Sequence, residues 1–308
     1  MKPKPTTLQS AAYKLLLKSF TDWLDVLGYS ILSIPCHAYN VKTFLRYQEE
    51  NNKTSLANIT AIDATNFIEK LKNSIGVRTG KPLSNNHINK NINSLTLFSR
   101  YVRETGKSSV GFVVERLPQE KNKPVWLTEI EIQQIYDAIK EDILGIRDKA
   151  MMAIYYGCGL RLNEGASIEL KDIDFTKNIL HVKKGKHYKE RFVPIAAKNI
   201  QEIKLYIDYA RPILLNAGSS PPSGELEGAL FVDANRGRKM IKASLYTRLK
   251  KLIKKANIKK KAGTHTLRHS IATHLLQSGM QLEKIKDFLG HTHLDSTQIY
   301  THLVNDKI

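Results

Sequence analysis

THTLRHSIATHLLQSGMQLEKIKDFLGHTHLDSTQIYTH, residues Thr264 to His302, is the stretch on which the reading of the chain turns. Thr264, just after Gly263, suits an N-cap, and Leu267, Ile271, Leu275 and Leu276 recur at helical spacing. That predicts a helix to about Gln277, closed by Gly279. A second helix follows at once, with Leu282, Ile285, Phe288 and Leu289 in one apolar stripe, Gly290 as its stop and His291 just beyond. Asp295 and Gln298 read as a capping box for a short third helix that carries Tyr300. His265 and Arg268 lie three apart in the first turn of the first helix, beside its open N–H groups, where an anion such as a phosphodiester is favoured. Short elements thus gather two histidines, an arginine and a tyrosine.

A tyrosine hydroxyl has a pKa near ~10, so only about 0.1% is ionised at neutral pH, and its attack on a phosphodiester needs a base close by. The transition state gathers negative charge on its non-bridging oxygens, where arginine donates from a fixed, always-charged fork. The chemistry therefore asks for a second arginine and for a cationic acid that protonates the leaving 5′ oxygen. In ILGIRDKAMMAIYYGCGLRLNEGASIELKDIDF, an apolar helix from about Leu144 to Tyr156 ends at Gly157 and Gly159, and the chain turns into Arg161. Glu164, three further on, is placed to hold Arg161 or a histidine from behind. ILHVKKGKHYKERFVPI then alternates as strand, basic turn, strand. Lys186 in that turn is the candidate acid, with Lys183, Lys184 and Lys189 as competitors.

GLRLNE, GKxxKERxVP, HTLRH, LGH and IYTH, in this order and spacing, resemble the tyrosine recombinase (lambda integrase) family, nearest to its Xer-type bacterial members. The match runs from about Leu127 to His302. The resemblance implies that Arg161 and Arg268 bind the scissile phosphate and that Lys186, favoured over its neighbours by the motif, is the general acid. It also implies that His265 assists proton transfer, that His291 completes the clamp and that Tyr300 forms a 3′-phosphotyrosyl bond. It further implies site-specific strand exchange on double-stranded DNA through a Holliday junction, within a homo-oligomer that is a tetramer in the synaptic complex, without metal or other cofactor. Both chromosome dimer resolution and mobile-element integration or excision fit. Only eight residues follow Tyr300, whereas many relatives carry a longer tail that docks into a neighbouring protomer.

Composition agrees. Lys and Arg number 48 against 29 acidic residues, a net charge of +19, which favours a polyanionic partner over a small neutral substrate. Two cysteines, Cys36 and Cys158, exclude a disulfide scaffold and point to a reducing cytoplasm. No long uncharged apolar run suggests a membrane span.

Four amphipathic helices are expected in the first hundred residues: Leu8 to Leu27 with Leu15 on its apolar face, Pro35 to about Glu49, one capped by Thr60 with Ile62 on its apolar face and ending near Gly76, and one from Ser84 to Gly106. Further helices are expected from Thr128, with Ile130 on the apolar face, and over Ile200 to Leu215. The fold class is mainly α with a small β-hairpin sheet, in two domains. Residues 1–115 form a helical domain, 116–125 a linker with Pro118 and Pro124, and 126–308 a mixed α/β domain. By resemblance these are a SAM-like core-binding domain and a catalytic domain that close on duplex DNA. Lys81, Asn85, Asn86, His87, Asn89 and Lys90 make a polar face suited to DNA. Lys184, Lys250 and Lys254, the last two on an amphipathic basic helix with Lys251 and Lys255, suit phosphate contacts.

Three other readings compete. His265, His269 and His274 are spaced like metal ligands but lack the glutamate of a zinc protease, so no metal is expected and His269 and His274 read as packing groups. Helix, glycine turn, helix over residues 271–291 also suits a non-catalytic DNA-binding regulator, which has no need of Arg161, Lys186 or Tyr300. A type IB topoisomerase uses nearly the same chemistry without site specificity.

Overall fold

The computed structural model describes residues 7–77, 79–108, 111–112, 114–119, 124–183, 190–217, 228–233 and 238–290. The chain divides into two compact units, Met1–Asn122 and Lys123–Ile308.

The first unit holds helices α1 (Ala11–Val26), α2 (Ile34–Glu50), α3 (Ala61–Lys72) and α4 (Asn85–Glu104). Each begins where local chemistry favours it. Ser10 Oγ accepts from Tyr13 N, a proline opens α2, Asp63 turns back onto the Thr60 backbone, and Ser84 Oγ accepts from His87 N. Phe20, Phe44, Phe67, Phe98, Tyr101 and Phe112 are fully buried between the helices. Phe20 meets Phe98 edge to face with centroids 5.5 Å apart. A buried ring of this size contributes roughly 1.5–3 kcal/mol, so this aromatic cluster dominates the core.

Two residues expected on apolar faces lie outside the core, Leu15 at 70% and Ile62 at 69% exposure. Each sits at the edge of a stripe wider than the surface it covers. The polar face of α4 also divides. Lys81, Asn86 and Lys90 are exposed, but Asn89 is buried, accepting from Leu117 N and donating to Leu117 O, while Asn85 donates to Pro118 O. Asn89 therefore straps the chain that leaves α4 rather than facing outward, and Leu117 packs on the helical core.

The second unit opens with Leu127, whose N–H donates to Ser270 Oγ at 2.8 Å, and α5 (Glu129–Asp137), capped by Thr128 and Glu131. Ile130, expected inside, is 73% exposed. α6 (Ile143–Met152) runs on through a wider π turn, Ala153–Gly157, into α7 (Leu162–Ser167). β1 (Ile173–Asp174), β2 (Ile179–Val182) and β3 (Arg191–Pro194) form an antiparallel sheet in that order, with Val182 opposite Arg191 at the mouth of the expected hairpin.

The helix expected over 200–215 is interrupted: α8 (Ala197–Leu205) and α9 (Arg211–Asn216) flank a π turn, Tyr206–Ala210. A two-stranded ribbon, β4 (Val232–Asp233) and β5 (Arg238–Lys239), precedes α10 (Lys242–Lys255), α11 (Thr264–Gln277) and α12 (Leu282–Leu289). The core packs Met151, Ile154, Tyr155, Leu180, Val193, Leu249 and Leu267 together. Among the described residues no helix is long and apolar enough to cross a membrane.

Candidate active site

α6 and its π turn are mostly buried, and they deliver the chain to Gly159 at φ +61°. A Cβ there would lie 3.0 Å from Leu289 and 3.1 Å from Phe288, so glycine serves both the left-handed backbone and the close approach of α12. The next turn sets Arg161 as the cap residue of α7. Its backbone N–H and its Nη1 both donate to the Glu164 carboxylate at 2.8 Å.

Glu164, 4% exposed, is the hub of the pocket. Besides Arg161 it accepts a paired hydrogen bond from Arg191, Nη1 to Oε1 at 3.2 Å and Nη2 to Oε2 at 3.0 Å. Arg268 Nη1 lies 3.7 Å from Oε2. Burial pushes this carboxyl up, but the hydrogen bonds and charge of Arg191, with those of Arg161, outweigh it and hold the group down to about 2. Three guanidinium groups thus surround one carboxylate.

Arg268 enters from the first turn of α11, itself only 3% exposed. Its Nη1 donates to Gly159 O at 2.7 Å and its Nη2 to Leu289 O. Arg191 Nε likewise donates to Phe288 O at 2.9 Å. Two arginines thus grip successive carbonyls at the end of α12, where the dipole favours cations, just before Gly290 turns left-handed at φ +65°. Arg161, at 22% side-chain exposure, is the most open of the three.

The α11 helix starts one residue earlier than expected. Gly263 is its cap, its N–H donating to Thr266 Oγ1, and Thr264 is the first helical residue. His265 is exposed at the rim, and partial burial together with the charges of Arg268 and Arg161 lowers its pKa below the ordinary histidine range. It is therefore neutral near pH 7 and able to accept a proton. His269 is lowered too, by burial, His265 and Arg268. His274 is buried deeper, its Nδ1 2.9 Å from Tyr156 Oη and its ring edge-on to Trp126, which suits packing. Among the described residues no group of three or more His, Cys, Asp or Glu is arranged to hold a metal ion.

Of the expected site residues, Arg161, Glu164, His265 and Arg268 come together. Lys184, Lys186, His291 and Tyr300 lie outside the described residues, the first two in the connection between β2 and β3 and the others beyond Gly290. Lys183 is held by Asp172 and Glu169 at 2.8 and 3.1 Å. On α10, Lys250 donates to Ala262 O at 2.9 Å and Lys255 to Ala138 O, so both tether neighbouring loops, while Lys251 and Lys254 are exposed.

Arg191 is the residue of the cluster to which the sequence alone assigns no role. A signal for it exists in the alternation of β3: Arg191 and Val193 are buried while Phe192 and Pro194 are exposed. A charged residue in phase with a buried valine needs a buried partner.

Comparison with known proteins bears on this arrangement. Residues 125–307 match the model of the phage integrase family. A tyrosine recombinase of Thermosipho africanus (strain TCF52B) is 31% identical over 296 residues, covering 95% of this chain and 96% of that protein. Tyrosine recombinase XerC of Anoxybacillus flavithermus (strain DSM 21510 / WK1) is 28% identical over 298 residues, covering 95% and 94%. Among solved structures, XerH site-specific recombinase bound to palindromic difH substrate, in a post-cleavage complex, superposes with a TM-score of 0.72 at 23% identity, covering 97% of this chain and 83% of that one.

Proposed function

Since this chain belongs to the phage integrase family, we propose that it is a site-specific tyrosine recombinase that cuts and rejoins double-stranded DNA through a 3′-phosphotyrosyl intermediate and a Holliday junction. The observation that carries the proposal is the convergence of Arg161, Arg191 and Arg268 on the single carboxylate of Glu164, with His265 at the rim. Arginine donors gathered beside a proton acceptor suit a phosphodiester passing through a more negative transition state.

In this reading the scissile phosphate lies over Arg161, with Arg268 beneath it. Tyr300 attacks the phosphorus, its proton passing toward neutral His265, while the P–O bond to the 5′ oxygen breaks. Lys186 protonates that oxygen, and His291 adds a donor to the non-bridging oxygens. The phosphotyrosyl bond keeps the energy of the broken link, so a 5′ hydroxyl from another strand restores the DNA by the reverse steps.

The XerH structure holds palindromic difH substrate, and the partner proposed here is double-stranded DNA carrying a recombination site, engaged by a tetramer at synapsis in the bacterial cytoplasm. Lys254 and Lys251 on α10, and Lys81, Asn86 and Lys90 in the first unit, are proposed to follow the phosphate backbone. A non-catalytic regulator has no use for a buried arginine–carboxylate cluster, and none of its needs explains the neutral histidine.

A suicide-substrate assay tests the proposal. Nicked duplexes carrying a candidate site are incubated with wild type and Tyr300→Phe in the presence of chelator. Wild type is expected to give a denaturation-resistant protein–DNA adduct and the variant none. An adduct formed by Tyr300→Phe, or wild-type cleavage that needs added metal, would reject it.

A further inference from the structure

We infer that Arg191 is a positioning residue for strand cleavage: through Glu164 and the end of α12 it fixes Arg161 and the ends of the segments that carry Lys186 and His291. This rests on the reading of the pocket as a phosphodiester site. Arg191 is the first residue of β3, directly opposite Val182, so it closes the mouth of the hairpin in which Lys186 lies. One edge of its fork is spent on both Glu164 oxygens and its Nε on Phe288 O. The same side chain leaves no room for a larger residue at Gly290, where a Cβ would come within 2.9 Å of its Cδ and Nη1. The residue that follows Gly290 in sequence is His291. One buried guanidinium is therefore bolted to the three pieces of chain that lead to the phosphate clamp, the acid and the second histidine.

The charges explain why a cation is needed there and why it must be a fork. Glu164 meets Arg161 from its own turn, Arg191 from β3 and Arg268 from α11, with the buried Cys158 thiol beside Arg191 and His265 beyond Arg161 and Arg268. On the outer side Lys284 and Asp287 of α12 line a groove with Arg191. Arg191 donates one side-chain hydrogen bond to each oxygen of the carboxylate, so it fixes the plane of that group as well as its charge. Without it, burial is left to act on Glu164 with Arg161 as its main partner. The carboxyl then takes a proton at a higher pH, and Arg161 loses the anion that orients it.

The test is single-turnover cleavage of the nicked duplex across pH by wild type, Arg191→Met, Arg191→Lys and the double variant Glu164→Gln/Arg191→Met. Arg191→Met is expected to cleave more slowly, on the order of 10²-fold, as misplacement behind a reacting group does. It should also lose activity on acidification at a higher pH than wild type. The double variant removes both buried charges, so it should lose that added acid limb and cleave faster than Arg191→Met alone. Arg191→Lys keeps the charge without the fork, and should keep the wild-type acid limb at a reduced rate.

An Arg191→Met profile parallel to wild type at every pH, or a double variant no faster than Arg191→Met alone, would overturn the inference while leaving the recombinase reading intact. If Arg191→Met does not fold, a folded and cleaving double variant supports the inference by itself, and a double variant that also fails to fold assigns Arg191 a purely structural role and overturns it. No adduct with wild type would instead remove the reading on which the inference stands.

Discussion

Lys183 Nζ donates to Asp172 Oδ1 at 2.8 Å, and Glu169 Oε2 stands 3.1 Å from the same nitrogen. Lys183 is the last described residue before the hairpin connection, one of four lysines competing for the role of acid. Its hydrogen bonds to Asp172 and then to Glu169 raise its pKa, which makes it a poorer proton donor. Lys186→Ala is expected to slow cleavage by about 10²- to 10⁴-fold. A substrate whose leaving 5′ oxygen is replaced by sulfur needs no such proton, and should restore the rate. Lys183→Gln should behave like wild type with both substrates; rescue of Lys183→Gln by sulfur would move the role to Lys183.

Arg161 and Arg268 should separate when rate and stability are measured together. Replacing either by Ala is expected to slow cleavage by about 10²- to 10³-fold. Arg268 is buried and holds the carbonyls of Gly159 and Leu289, so its removal strands polar groups and leaves a gap. Arg268→Ala should lose roughly 3 kcal/mol, or about 6–12 °C in Tm, whereas Arg161→Ala at the more open edge should melt closer to wild type. Equal Tm losses in calorimetry would contradict the layered arrangement.

As the proposed proton acceptor, His265 is expected to set the acid side of the rate profile. Its pKa is lowered, so the neutral, proton-accepting form persists below the ordinary histidine range and the rate should fall only as pH drops through that lowered value. Arg161→Ala removes one of the charges that depress it, so the fall should move to higher pH even though the overall rate is smaller. A fall that stays in place in single-turnover kinetics would mean that His265 does not feel Arg161.

Glu164 links the cluster to acid stability. Its folded pKa of about 2 lies below the ordinary glutamate value of 4.5, so its contribution is fully present above the unfolded pKa and is lost as pH falls through about 2. The separation corresponds to roughly 3 kcal/mol. Wild type should therefore lose this increment between about pH 4.5 and pH 2 in denaturant titrations. Glu164→Gln should be less stable at neutral pH, because Arg191 is left buried without its anion, and should lack that part of the acid dependence.

Much of the fold was legible because its signals are local. Thr60, Ser84 and Thr128 each begin a helix where capping chemistry says they should, and Gly279 and Gly290 mark left-handed ends. The errors are those that periodicity makes. Leu15, Ile62 and Ile130 match a helical stripe, but only packing decides how wide that stripe must be. The π turns at Ala153–Gly157 and Tyr206–Ala210 leave the apolar pattern nearly unchanged, so nothing local announces them.

In the site, the motifs gave roles to Arg161, Glu164, His265 and Arg268 but none to Arg191. The first four stand beside capping positions or helix starts, whose chemistry is visible in a few neighbouring residues. Arg191 draws its importance from Glu164, 27 positions earlier, and from Phe288, 97 positions later. The same distance hid the fates of Asn89 and Lys250, which answer to backbone at Leu117 and Ala262.

Those separations also govern the order in which the cluster comes together. Arg161 and Glu164 leave the ribosome well before Arg268 and the end of α12, and loop closure over such spans comes late because its entropy is lost before the contacts form. Until Phe288 and Leu289 have been made, the carbonyls that Arg191 and Arg268 grip do not exist. A chain cut short before Phe288 therefore carries the first half of the cluster without the carbonyls that complete it.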